Sequence, residues 1–157
     1  MDLVAGKINV LRVAESNFIT AERKFYSENA PYSDAENDYK KAAARGHAAA
    51  QYMYGYMLSR GIGEKVNVKR GMRLIKSSAR KAYAPAIIAT ALGYYYGFGF
   101  KRSLRRAAKY WAKGNAMGIK EATYYLALAY MKGEGVKKDE KRANELFAVV
   151  NLHGFNY

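Results

Sequence analysis

The chain has 157 residues and no cysteine, which excludes disulfides, thiolate metal sites and cysteine nucleophiles and suits a reducing cytoplasm. Its formal net charge is +14, from 27 basic and 13 acidic residues, so an acidic ligand is the first class to consider. Lys7 and Arg12 interrupt the apolar N-terminal stretch before signal-peptide length, and nothing approaches the roughly 18–20 apolar residues that span a bilayer, so a soluble cytoplasmic protein is expected.

From the N-terminus, a faint unit covers about residues 12–47, marked by Ala14, Phe18, Ala35, Tyr39, Ala43 and Gly46. Its second helix, about residues 34–46, is clearer than its first, because Phe25 and Ser27 stand where later units have glycine. Three stronger units follow without gaps at residues 48–83, 84–119 and 120–155. Each opens on an apolar-rich stretch of helical length, Ala48 to Arg60, Ala84 to Tyr96 and Lys120 to Lys132. Glycine then stops the helix at Gly61, Gly97 or Gly133, where a left-handed C-cap is favoured. Asn67, Ser103 and Asp139 are the next N-caps, since a short side-chain oxygen can accept from the free amides of a new helix. Second helices are predicted over residues 68–81, 104–117 and 140–153.

The copies agree column by column at an offset of 36 residues. Ala50, Ala86 and Ala122 share a column, as do Gly71, Ala107 and Ala143; these small residues sit where helices must approach. Large side chains recur at Tyr54, Thr90 and Leu126, at Leu58, Tyr94 and Tyr130, and at Leu74, Tyr110 and Leu146, where a core must be filled. A period of this length points to stacked helix pairs, none of which can bury its apolar face alone.

The run Leu126-Ala-x-x-Tyr130-x-x-Gly133-x-Gly135-Val136-x-x-Asp139-x-x-Arg142-Ala143 resembles the SEL-one-like repeat (SLR), a relative of the tetratricopeptide repeat with a slightly longer unit. The second copy keeps Tyr94, Gly97, Gly99, Arg106, Ala107 and Trp111, and the first keeps Gly55, Gly61, Gly63 and Arg70; Glu64 and Phe100 replace the usual valine after the glycines. The resemblance implies an all-α, right-handed superhelical solenoid of about four antiparallel helix-turn-helix repeats of 36 residues, forming a single domain over residues 1–157. It also implies an adaptor or scaffold that binds other proteins without catalysis, and by analogy a possible toxin-neutralising immunity protein.

The strings GIGEK, GFGFK and GEGVK lack the Lys-Ser/Thr of a phosphate-binding loop, and they recur at the repeat offset as turns. His47 and His153 lie at the ends of second helices in different repeats, too far apart for a metal or a catalytic arrangement. Glu134, Asp139, Glu140 and Glu145 fall around a loop and helix expected to face solvent. No catalytic residue, metal site or cofactor is assigned.

The charge is uneven. Residues 48–83 hold eight bases and one acid, residues 84–119 six bases and no acid, and the remaining segments are near balance. Lys69, Arg73, Lys76 and Arg80 recur at helical spacing, as do Arg102, Arg105, Lys109 and Lys113, so each set reads as a basic stripe along a second helix. Stacking would put such helices about 10 Å apart. An acidic protein is the expected partner. Nucleic acid is the alternative, disfavoured because nine of the fifteen tyrosines lie on first helices, away from the stripes.

Those tyrosines define a second surface. Tyr94, Tyr95 and Tyr96 fan over about 200 degrees of a helix, so they cannot all point inward. Tyr52, Tyr56 and Arg60, with Leu92, Tyr95 and Tyr96, and with Tyr124, Tyr125, Leu128 and Lys132, are expected to line an aromatic concave groove suited to a protein partner. In the last helix Val149 and Leu152 replace polar residues of earlier copies, making a candidate docking or homodimer surface unless Phe155 and Tyr157 fold over it.

Overall fold

The computed structural model describes residues 3–152, with side chains through residue 151. The described residues form eight helices and no strand: α1 (Leu3–Phe25), α2 (Tyr32–Ala44), α3 (Ala48–Arg60), α4 (Val68–Arg80), α5 (Ala84–Tyr96), α6 (Leu104–Ala116), α7 (Lys120–Lys132) and α8 (Glu140–Leu152). The chain divides into two compact units, one reaching to Tyr83 with α1–α4 and the other starting at Ala84 with α5–α8. In each, consecutive helices pack as neighbours.

The helix ends follow from the residues placed there. Asn67 Oδ1 accepts from the Arg70 amide at 3.1 Å, Ser103 Oγ from the Arg106 amide at 3.2 Å, and Asp139 Oδ1 from the Arg142 amide at 2.9 Å. Each bond satisfies one of the amides that a helix start leaves without a partner. The predicted C-caps Gly61 and Gly133 adopt left-handed conformations with φ of 68° and 71°. His47 is also a cap: its Nδ1 accepts from the Ala50 amide at 3.1 Å, and its ring stacks on Phe18 at 4.4 Å.

One helix departs from the pattern. The first helix of the faint N-terminal unit begins at Leu3 and runs for 23 residues, where the other helices have 13. Lys7 and Arg12 lie within it and are exposed. From Leu3 to Val13 nothing is buried, and Leu3, Leu11 and Val10 stand exposed before Ala14 meets the core.

In the first unit the core comprises Tyr39, Ala50, Tyr54, Met57 and Leu58, with Phe18, Phe25 and Leu74 against it. α3 and α4 touch backbone to backbone. A Cβ on Gly55 would lie 2.5 Å from the Gly71 carbonyl oxygen, and one on Gly71 would lie 2.4 Å from that of Gly55, so neither position admits a side chain. In the second unit Ala91, Trp111, Ala122, Leu126, Ala127 and Leu146 form the core. Its helices close up through Gly114, where an added Cβ would lie 2.4 Å from the Ala122 methyl.

The first unit buries a charge that the repeat does not require. Glu36 on α2 is only 6% exposed, at a position that the 36-residue offset aligns with Met72 and Ala108. Burial, and next the neighbouring Glu64 carboxylate, push its pKa up, while Lys40 and Arg70 oppose the shift. Glu64 in turn accepts from the Tyr54 hydroxyl at 3.1 Å. A second local cost lies at Ala82, whose φ is 62°; Gly46 and Gly118 occupy the equivalent turns at 84° and 75°.

Two stability predictions follow from these positions. A raised folded pKa means that folding favours protonated Glu36, so stability falls as pH rises from the usual carboxylate range through the raised value. Thermal melts between about pH 4 and pH 8 should show that loss in the wild type and a flatter profile in Glu36→Gln; parallel profiles would refute it. Ala82→Gly should stabilise by about 0.5–1 kcal/mol, the relief of left-handed strain less the extra freedom of glycine when unfolded. The corresponding rise of a few degrees in Tm is measurable by calorimetry, and an unchanged or lower Tm would refute it.

A candidate partner-binding cavity and two basic faces

α5 carries three consecutive tyrosines, and the helix sends each to a different environment. Tyr94 is 3% exposed, stacked on Phe100 at 4.4 Å with the Arg106 guanidinium over its ring at 5.5 Å. Tyr95 is half-buried, and Tyr96 is 73% exposed. The last two form one wall of a cavity of about 160 Å³. Leu92 extends that wall, Leu104, Ala107 and Trp111 of α6 line the cavity between the walls, and Tyr125, Leu128, Ala129 and Lys132 of α7 stand opposite.

Ring contacts and one polar clasp hold the walls. Trp111 is buried and stacks on Tyr125 with ring centres 4.5 Å apart, while Tyr95 meets Tyr96 edge-on at 5.0 Å. The Tyr95 hydroxyl donates to Glu134 Oε2 at 2.9 Å, tying the end of α5 to the loop after α7. That hydrogen bond is the main reason the Tyr95 pKa is raised, with burial and the Glu134 charge adding to it. On the other side of the residue, Arg102 Nε donates to the Tyr95 carbonyl at 3.0 Å. The result is an apolar, aromatic slot with one ammonium and one carboxylate among its lining groups, suited to an apolar side chain flanked by polar groups.

Six predicted groove residues, Leu92, Tyr95, Tyr96, Tyr125, Leu128 and Lys132, thus meet around one cavity. Tyr124 does not line it, because it turns toward α8 and packs edge-on against Phe147 at 5.8 Å. In the first unit the α3 residues make a separate cluster: Tyr52 packs against Tyr83 at 5.5 Å, and the Arg60 guanidinium lies over the Tyr56 ring at 5.6 Å. Sequence reasoning missed Trp111, which its column marks as core, and Glu134, which was expected to face solvent. Glu134 is half-buried. The clue lay in its own column, which holds Ile62 and Phe98 in the other copies.

The basic residues also occupy defined places. On α4, Lys69, Arg73 and Arg80 are exposed and Lys76 is half-buried. On α6, Arg105, Lys109 and Lys113 are exposed, whereas Arg102 precedes the Ser103 cap and belongs to the loop, held by the Tyr95 carbonyl. At the last helix Val149 is 48% exposed; the Leu152 side chain, His153, Phe155 and Tyr157 lie outside the described residues. Among the described residues, no helix is long and apolar enough to cross a membrane.

The Sel1 repeat family matches residues 48–83, 86–119 and 120–148. A Sel1 repeat protein from Oxalobacter formigenes is 28% identical, with a TM-score of 0.83 over 91% of this chain and 60% of its own. A protective antigen of uropathogenic Escherichia coli with an SLR fold is 21% identical, with a TM-score of 0.55 over 90% of this chain and 38% of its own. Helicobacter pylori cysteine rich protein B is 23% identical, with a TM-score of 0.57 over 76% of this chain and 90% of its own. The chain therefore spans less than two thirds of the length of the first two, and the last two share the fold alone. Sel1 repeat proteins are generally protein–protein interaction modules, typically without catalysis. With three matched segments that together cover more than half of its length, the chain belongs to the Sel1 repeat family.

Proposed function

We propose that this chain is a non-enzymatic binding module that holds a protein partner with an acidic surface, as an adaptor, a scaffold or an immunity-type protein that neutralises a toxin. One observation carries the reading: six residues of the expected tyrosine-rich surface line a single cavity whose walls are aromatic and whose polar groups are few. An apolar side chain of the partner enters between Tyr96 and Leu128, and acidic groups of the partner meet exposed bases of α6. Tyrosine supplies large contact area at small entropic cost, and the exposed bases speed encounter with a negative surface. The absence of cysteine fits work in a reducing cytoplasm. The exposed Val149 on α8 leaves a homodimer through the last helix as a further arrangement of the same module.

The test uses the partner recovered from the native host after nuclease treatment, identified and then titrated in pure form. Tyr96→Ala and Leu128→Ala should each weaken binding by about tenfold or more while leaving the melting curve nearly unchanged. Unchanged affinity in both would reject the cavity as the contact. Loss of all captured material on nuclease treatment would favour a nucleic-acid-binding protein instead. Tyr95→Phe, which deletes only the clasp to Glu134, should cost about two- to tenfold if wall placement matters, and nothing if the clasp is incidental.

A further inference from the structure

In the second unit, Lys101, Arg102, Arg105, Arg106 and Lys109 surround one open pocket of about 470 Å³ that no carboxylate lines. Three of the equivalent bases elsewhere in the chain lie beside a carboxylate. Arg70, at the Arg106 position, lies 3.9 Å from Glu64, and Arg142 lies 3.4 Å from Glu145. Lys138 is likewise paired with Glu140 at 3.3 Å. At the Glu64 position this copy has Phe100, and at the Glu145 position it has Lys109, so both counterions are replaced. Two of the guanidiniums are also fixed in place. Arg102 is anchored through Nε by the Tyr95 carbonyl, and the Arg106 guanidinium lies over the Tyr94 ring, 5.5 Å from its centre. The first turn of α6 contains no acidic residue, so these charges also oppose the dipole of their own helix.

We infer that this pocket binds an extended acidic peptide segment of the protein partner, with carboxylates on alternate residues. The inference rests on the reading of the chain as a protein-binding module and names the chemistry of what one of its surfaces holds. Arg105 and Lys109 stand one helical turn apart, about 6 Å along the axis. Alternate side chains of an extended peptide project from one face about 6.6 Å apart, so a Glu-x-Glu pair can meet both bases together. Nucleic acid fits less well. The Tyr94 ring within the cluster is already taken by Phe100 and Arg106, leaving it unavailable for a base to stack on.

Fluorescence anisotropy with a labelled peptide of alternating Glu and Ser tests this directly, alongside a Gln-Ser control and a single-stranded oligonucleotide of similar length. At about 50 mM salt the Glu-Ser peptide should bind, and the Gln-Ser peptide should not. The double variant Arg105→Glu/Lys109→Glu should lose about tenfold or more in affinity for the Glu-Ser peptide, whereas Lys7→Glu/Arg12→Glu on α1 should lose less than about threefold. All four positions are exposed, and melting curves check that both variants fold. Equal losses in the two variants, tighter binding of the oligonucleotide, or no peptide binding would overturn the assignment. The pure partner separates the two readings: if it still binds wild type and Arg105→Glu/Lys109→Glu equally, the pocket assignment falls and the module stands.

Discussion

A pair of short helices exposes more apolar surface than it can cover, and closeness of approach decides how well the deficit is met. Here the closeness comes from missing side chains. Gly55 and Gly71 bring α3 and α4 to backbone contact, and Gly114 lets α6 close on α7. Once the backbones are that near, the large residues of each hairpin have only one place to go, and Leu58, Met57, Trp111 and Leu126 fill the space on either side. The cavity exists for the same reason. Ala107 and Ala129 are too small to fill the gap between α5 and α7, so the tyrosines stand around it as walls.

The scaffold was legible because its requirements repeat. A cap, a stop and a small residue must appear wherever a helix starts, ends or touches another, and the three strong copies repeated them at one offset, so Asn67, Ser103 and Asp139 could be named as caps from spacing alone. The faint unit shows the limit of that logic. Its helix α1 begins well before the pattern does, because a stretch such as Leu3 to Val13 can be helical without belonging to a repeat. Boundaries set by packing are marked in sequence, whereas those set by local propensity are not.

The site was legible in part, for a related reason. Aromatic residues in excess of the core's needs revealed the cavity walls, and the lack of acids revealed the basic face. Periodicity could not say which way Tyr124 turns, since α7 offers it Phe147 on one side and the cavity on the other. Nor could it show that Glu134 reaches Tyr95, a contact made across 39 positions of chain by a loop whose path only the packed hairpins define. Glu36 and Ala82 carry the converse lesson. Each departs from its column at a cost to the fold, and a column comparison shows the departure without its energetic sign.

The chain contains one tryptophan, and the packing of α6 places it at the cavity with its ring face against Tyr125. Indole emission responds to the polarity and rigidity of its surroundings, and there is no second indole to obscure the signal. The molecule therefore carries an intrinsic optical reporter of cavity occupancy. Anything that enters the cavity beside Trp111 or shifts Tyr125 alters the light the protein emits, so recognition can be followed without attaching a label to either partner.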